Sequence, residues 1–277
     1  MLIRARAPLR VGLAGGGTDL SPFCDTRGGY VLNATIDLYA YATLELLDEP
    51  VAVFEAADGG HRYEGLAAVD AVSRGPLMLH QGVYNRVVRD FCHGRPLGVR
   101  LITHSDVPPG SGLGASSTLV VVMLQAFVEA LNLSLGEYEI AQLAYDIERI
   151  DLGLAGGKQD QYAACFGGVN FMEFGSNGRV LVNPLRIKPW IISEFESSLL
   201  LFYTGVSRDS AEIIDEQVRN AVEGNFEAID AMLSVKEEAL QMKESLLKVH
   251  FDLFIESMRP AWASKKQTAG SVSNKRL

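Results

Sequence analysis

Asp106-Val107-Pro108-Pro109-Gly110-Ser111-Gly112-Leu113-Gly114-Ala115-Ser116-Ser117-Thr118, followed at once by the apolar run 119–124, is the stretch on which the reading of this chain turns. Glycines at three alternate positions leave the backbone without Cβ atoms and free to take positive φ, so several consecutive N–H groups can turn toward one anion. The natural guest is a phosphate. Ser116, Ser117 and Thr118 can cap the first turn of a following helix, whose N-terminus adds about half a positive elementary charge to those donors. Loop and helix end then act as one site. The plain alternative is a glycine-rich turn that only joins a strand to a helix. The pattern is not the P-loop, since no Lys-Ser or Lys-Thr follows a glycine at the required spacing, and it is not G-x-G-x-x-G.

Working outward, residues 99–104 read as a strand entering the loop, and 113–131 as a helix so apolar in its middle that it must be buried. A helix gripped on all sides keeps its N-terminal donors preorganised. Upstream, 3–14 reads as a strand running into Gly15-Gly16-Gly17-Thr18-Asp19, a glycine-rich bend. Arg10, Thr18 and Asp19 suit a polyol, because a carboxylate beside a flexible backbone can accept hydrogen bonds from adjacent hydroxyls. A turn with an aspartate capping the next element is the equal alternative. Residues 29–36, 39–47 and 51–55 read as strands, and 76–92 as a helix.

Downstream, 135–150 reads as a helix with Ser134 and Glu137 in a capping-box pattern. Glu148 lies near its end, where the helix dipole disfavours a carboxylate. That misplacement suggests a use, against the alternative of a solvated glutamate paired with Arg149 or a nearby lysine. Asp151-Leu152-Gly153-Leu154-Ala155-Gly156-Gly157-Lys158-Gln159-Asp160-Gln161-Tyr162 is a glycine-rich bend. In it Asp160 opens a short helix whose dipole would hold it ionised, or acts only as an N-cap. Lys158 either neutralises phosphate or faces solvent. Beyond lie a hairpin about 175–178, a linker marked by Pro184 and Pro189, an apolar strand over 198–203, and helices over 211–222, 226–247 and 251–265.

The chain of 277 residues, 48% hydrophobic and 21% charged, reads as soluble and globular. A net charge of −9 argues against a general nucleic-acid or anionic-membrane surface. Cys24, Cys92 and Cys165 are far apart and signal neither zinc nor a disulfide framework, which fits a reducing cytoplasm. The histidines show no ligand spacing. Arg4, Arg6 and Arg10 spoil a signal-peptide core, and no apolar run is long enough to span a bilayer.

Three of these stretches together resemble the GHMP kinases, the superfamily of galactokinase, homoserine kinase, mevalonate kinase and phosphomevalonate kinase. Residues 108–117 resemble their phosphate-binding motif. Residues 10–19 look like their first motif, in the form seen in sugar-phosphate kinases acting on heptose 7-phosphate. Residues 151–162 resemble the segment holding the catalytic aspartate, with the Asp-Gln pair of galactokinase and heptose-phosphate kinases. The resemblance implies an α+β, two-domain fold: a ribosomal protein S5 domain 2-like N-terminal domain over 1–185 and a ferredoxin-like C-terminal domain over 186–277. It implies ATP on Pro109, Gly110, Ser111, Gly112, Leu113, Gly114, Ala115, Ser116 and Ser117. Mg²⁺ would be held by Ser116 and by Glu148, twelve positions before the base. Asp160 would be that base, with Arg10 beside it, and Gly17, Thr18, Asp19 and Arg208 would meet the substrate; for Arg208 a structural salt bridge is the equal alternative.

The implied reaction moves the γ-phosphate of ATP to the anomeric hydroxyl of heptose 7-phosphate, giving the 1,7-bisphosphate for nucleotide-heptose synthesis. Galactose or fucose are alternative acceptors. The expected partner is a small sugar phosphate, with neither nucleic acid nor membrane, and a homodimer stays open. The family's third glycine-rich motif has no counterpart before Leu277. The C-terminal domain is therefore expected to be incomplete, with a sheet edge and apolar helix faces exposed. A non-catalytic sugar- and nucleotide-binding homologue and an inactive truncated product are the rivals to an active kinase.

Overall fold

A computed structural model describes residues 1–69, 72, 74–202 and 210–273. The chain divides into two units interleaved along the sequence. One takes Met1–Arg10, Thr35–Leu154 and Asp160–Gly167; the other takes Val11–Ala34, Ala155–Gln159 and Gly168–Leu277. The partition expected from the sequence, 1–185 against 186–277, follows the chain, and the contacts draw a different one. Strands β1 (Leu2–Ala14) and β2 (Gly29–Leu47) each run from one unit into the other.

In the first unit the later part of β2 pairs antiparallel with β5 (Gly98–Ser105), from Ala40 opposite Ser105 to Leu47 opposite Gly98. β5 lies parallel to β3 (Val51–Ala56), and β3 pairs antiparallel with β4 (His61–Leu66). Ala40, Ala42 and Leu44, like Val99 and Leu101, recur at every second position and are buried, as the two-residue repeat of a strand requires. Helices α2 (Met78–Phe91), α3 (Ala115–Ala130) and α4 (Glu137–Asp146) share the core that these residues begin. Val120, Val121, Val122, Met123 and Leu124 of α3 are all buried, which four sides of a helix can be only at the centre of a fold.

In the second unit the early part of β2 pairs antiparallel with β6 (Val169–Phe174), and β6 with β7 (Val180–Pro184). Asn177 takes φ 59° in the intervening turn, so the expected hairpin forms through a left-handed asparagine. A short helix, α1 (Phe23–Arg27), stands between β1 and β2 in the chain, and helices α7 (Ser210–Val222), α8 (Phe226–Leu247) and α9 (Phe251–Gln267) come later. A core of Leu32, Phe171, Phe195, Met242, Leu246 and Phe254 joins α8 and α9 to the strands, with the rings of Phe195 and Phe254 meeting edge to face at 5.0 Å.

Several elements depart from expectation. Residues 29–47 form one strand rather than two, because β2 exchanges β6 for β5 as its partner midway and needs no break. β4 escaped notice because His61-Arg62-Tyr63-Glu64 has no apolar alternation; it ends the sheet order, where charged side chains suit an edge. Pro189 opens a helix, α6 (Pro189–Ser197), rather than marking a linker, since its missing N–H is no loss at a first helical position. The strand expected over 198–203 does not form in its described part. Leu200, Leu201 and Phe202 are exposed without regular structure, an apolar run with no strand beside it to pair with among the described residues. The expected capping box falls two residues late: the Gly136 N–H donates to Glu139 Oε2 at 3.0 Å.

Phe127 of α3, fully buried, is the test of this core: Phe127→Ala is expected to cost about 3–5 kcal/mol of unfolding free energy, read from the urea midpoint at constant slope.

Candidate active site

Between β5 and α3 the loop adopts the backbone that its glycines permit. Gly110, Gly112 and Gly114 have φ of 75°, 78° and 78°. Gly114 is the N-cap of α3, and no side chain caps it; Ser116, Ser117 and Thr118 lie inside the helix, so the capping expected of them is not made. Thr118 instead turns its hydroxyl back to Gly114 O at 2.9 Å. The helix N–H groups before Thr118 are thus left facing the loop. Ser111 Oγ is buried without a partner in the same loop. An uncapped helix start, three left-handed glycines and an orphaned hydroxyl make an anion receptor.

Arg10 joins this loop to Asp160. Its Nε and Nη2 meet Asp160 Oδ1 at 2.7 and 2.6 Å, while Nη1 donates to Gly112 O at 2.7 Å. The Arg10 backbone N–H adds a bond to Leu113 O at 3.2 Å. Asp160 stands in the first turn of α5 (Gln159–Phe166). A Cβ on Gly114 would come 3.4 Å from Asp160 Cγ and 3.5 Å from Arg10 Cγ, so glycine lets the loop close against both. Side-chain exposures of 14% for Arg10 and 22% for Asp160 leave the pair reachable. Asp160 Oδ2 accepts nothing from the described residues, and is the oxygen open to an incoming hydroxyl.

Glu148 lies where α4 passes into a π-helical turn, Ile147–Asp151, with the Leu152 N–H bonded to Ile147 O. It is 1% exposed, which excludes the solvated alternative. Ser116 Oγ donates to its Oε1 at 3.1 Å and Gln161 Nε2 to its Oε2 at 2.6 Å. Arg149 stands further off, at 3.7 Å. The turn itself is fixed from α2: Arg86 pairs with Asp146 at 3.4 Å and with Asp151 at 2.9 Å.

In the second unit the glycine bend after β1 is organised by Asp19, 1% exposed. Its Oδ2 accepts the N–H groups of Lys158 at 2.8 Å and Gln159 at 3.0 Å; its Oδ1 accepts Gly17 N–H at 3.1 Å and Gln159 Nε2 at 3.3 Å. Four donors fill a carboxylate, so a sugar hydroxyl would reach Asp19 only by displacing one of them. Thr18 is likewise spent: its hydroxyl contacts Gly15 O and Tyr30 O and accepts the Tyr30 N–H. In this structure the polar atoms of Thr18 and Asp19 serve the bend itself, and Asp19 holds the start of the helix whose second residue is Asp160. Gly17 lines the same bend with φ 98°. Arg208 lies outside the described residues.

Lys158 does not face solvent. Its side chain is buried, with Nζ 3.6 Å from Asp25 Oδ1 and 3.9 Å from Cys24 Sγ, and burial pushes the Cys24 thiol up to about 11. Sequence reasoning missed Gln161 as the donor that orients Glu148, although its place beside Asp160 was a signal. It also missed Gln159 as a second hold on Asp19.

Comparison with known proteins bears on this geometry. Residues 79–168, which contain the loop, Glu148 and Asp160, match the model of the GHMP kinases N terminal domain. The D-glycero-alpha-D-manno-heptose 7-phosphate kinase of Campylobacter jejuni is 48% identical over 275 residues, spanning 99% of this chain and 80% of that protein. A crystal structure of a D-glycero-D-manno-heptose 1-phosphate kinase from Bacteroides thetaiotaomicron superposes with a TM-score of 0.83 at 45% identity, covering 96% of this chain and 79% of that one. A putative sugar kinase from Campylobacter jejuni gives 0.78 at 47%, covering 99% and 78%. The chain belongs to the GHMP kinase family. It is a sugar kinase of that family, with ATP as its phosphoryl donor. No helix among the described residues is long and apolar enough to cross a membrane.

Gly157 isolates the Asp19 contacts, since a Cβ there would lie 1.9 Å from Asp19 Oδ2. Gly157→Ala is expected to lower unfolding free energy by about 2–3 kcal/mol and to reduce kcat at least as strongly as it changes the KM for ATP, measured by thermal melting and coupled ATPase assay.

Proposed function

We propose that the chain transfers the γ-phosphoryl group of ATP to the anomeric hydroxyl of a heptose 7-phosphate, giving the 1,7-bisphosphate that nucleotide-activated heptose synthesis consumes. The observation that carries the reading is Arg10, whose guanidinium touches both the carbonyl of Gly112 in the anion-binding loop and the carboxylate of Asp160. A phosphoryl group held by the loop therefore lies beside a carboxylate with a free oxygen. The names of the similar proteins support a heptose phosphate as acceptor, one as a 7-phosphate kinase and one as a 1-phosphate kinase.

Phosphoryl transfer is mostly positioning and charge neutralisation. In this reading the N–H groups of the glycine loop and of the α3 terminus take the charge spread over the transferred group, in a place already shaped for it. Asp160 Oδ2 receives the proton of the attacking hydroxyl, a contribution of about 10² to 10⁴ in rate. Arg10 occupies Oδ1, which aims Oδ2 outward and stops the carboxylate from rotating.

Ser116 and Glu148 fit Mg²⁺: two hard oxygen donors stand 3.1 Å apart beside the loop, and this ion accepts one carboxylate while sharing its other positions with water and phosphate oxygens. Once bound it would neutralise charge on the nucleotide's terminal phosphates. Gln161, on the other oxygen of Glu148, holds the carboxylate in place for it.

The test is turnover of ATP against a panel of heptose 7-phosphate, heptose 1-phosphate, galactose and fucose, with the product's new phosphate ester located by phosphorus NMR. An anomeric ester on heptose 7-phosphate is expected. Asp160→Asn should lower kcat by about 10² to 10⁴ with little change in the KM for ATP. Retention of wild-type kcat by that variant would remove Asp160 as the base; ATP binding in calorimetry without turnover of any sugar would favour a non-catalytic binding protein.

A further inference from the structure

Each oxygen of Glu148 meets its own neutral donor. Ser116 Oγ donates to Oε1 at 3.1 Å and Gln161 Nε2 to Oε2 at 2.6 Å, while the Arg149 guanidinium stands off Oε1 at 3.7 Å. The Gln161 amide must turn its nitrogen to the carboxylate, because its oxygen there would set two acceptors face to face. Nε2 also lies 3.2 Å from Ser117 Oγ, and the amide oxygen of Gln161 is buried without a partner among the described residues. Gln161 is fully buried, so an N–H that lost Glu148 would find no solvent to take its place.

Neither side of this bond can follow the other. Tyr162, the next residue of α5, donates from its hydroxyl to Gln142 Oε1 at 3.2 Å, and Gln142 Nε2 donates to Asp146 Oδ1 at 2.8 Å. Gln161 is thus fastened to α4 one residue along. Arg86 pairs with Asp146 and Asp151, so the backbone that carries Glu148 is gripped before and after it. All of these residues belong to the first unit.

A carboxylate chelates an ion through both oxygens only by turning both toward it. Here that turn would pull Oε2 from Gln161 and strand a buried N–H. Mg²⁺ asks for no such turn, since it takes one carboxylate oxygen and fills its small octahedral shell with water and phosphate oxygens. Ca²⁺ is larger, collects about six to eight oxygens, and gains from a carboxylate that gives two.

We propose that Gln161 holds Glu148 to a single ligand oxygen and so makes the cation site discriminate against Ca²⁺ in favour of Mg²⁺. This rests on the reading of Ser116 and Glu148 as the cation site. Gln161 is a positioning residue in this account: it acts on the ion through Glu148 and takes no part in proton transfer.

The experiment titrates the full chain with Mg²⁺ and with Ca²⁺ by calorimetry, in the presence of a non-hydrolysable ATP analogue, as wild type and as Gln161→Met. The analogue's own preference between the ions is common to both proteins and cancels when their Ca²⁺-to-Mg²⁺ ratios of Kd are compared. That ratio should fall roughly 10- to 100-fold in Gln161→Met, through tighter binding of Ca²⁺. An unchanged ratio, or an equal loss for both ions, would overturn the assignment. A second readout needs no change at Gln161: infrared difference spectra of the wild type, with the Glu148 carboxylate bands identified by their absence from Glu148→Gln. With Ca²⁺ those bands should keep the wide splitting of a one-oxygen ligand, as they do with Mg²⁺. The narrow splitting of a two-oxygen ligand would overturn this inference and leave the cation site standing. Bands that move with neither ion, in a protein that binds the analogue, would overturn the cation site and the inference with it.

Discussion

The planar fork of Arg10 fixes the chemistry of the first unit. Two of its nitrogens meet one oxygen of Asp160 and the third meets Gly112 O, so the carboxylate and the glycine loop cannot move independently. A lysine at this position would supply the charge without the geometry, because an ammonium is a point donor and a guanidinium is a rigid plane. Beneath the fork lies α3, buried along its middle, whose fixed N-terminus gives the loop a foundation. Rigidity there matters more than affinity: donors that need not rearrange when charge develops stabilise a transition state more than donors that must.

Three carboxylates near the catalytic segment have different tasks because they have different neighbours. Asp19 is filled by four N–H donors and works as a clamp on the backbone of Lys158 and Gln159. Glu148 is buried between a hydroxyl and an amide, neutral donors that orient it, with the Arg149 guanidinium further off at 3.7 Å. Asp160 has one oxygen tied to a guanidinium and one open. Composition alone would class them together; partner by partner they differ, and the roles proposed for them, a clamp, a cation ligand and a base, follow from that difference.

Much of this was legible in the sequence because glycine leaves a specific trace. Gly110, Gly112 and Gly114 do take the left-handed conformation that their alternation suggested, and the apolar run after them does make a buried helix. Strand character over 29–36 and 39–47 and the helices over 226–247 and 251–265 were visible from periodicity, and the hairpin about 175–178 from its turn residues. What stayed hidden depended on partners distant in the chain. Thr18 and Asp19 have the residue types of a polyol site, and nothing local says that their polar atoms are consumed by Tyr30 and Lys158. Lys265 sits among ordinary charges on a helix, and only the fold brings it to Gly16. Pro189 and residues 198–202 misled for a related reason: one residue's preference is settled by position within an element, and an apolar run becomes a strand only beside another strand.

The π-helical turn Ile147–Asp151 can be viewed as a helix with one residue to spare. Removing a residue there would restore ordinary helical bonding, yet an α-helix advances about 100° per residue, so everything beyond would swing round its axis. Asp151 would leave Arg86, and the chain would set off toward Lys158 in another direction. The number of residues between Glu148 and Asp160 therefore matters apart from their identity, because a deletion would turn every later side chain about the helix axis.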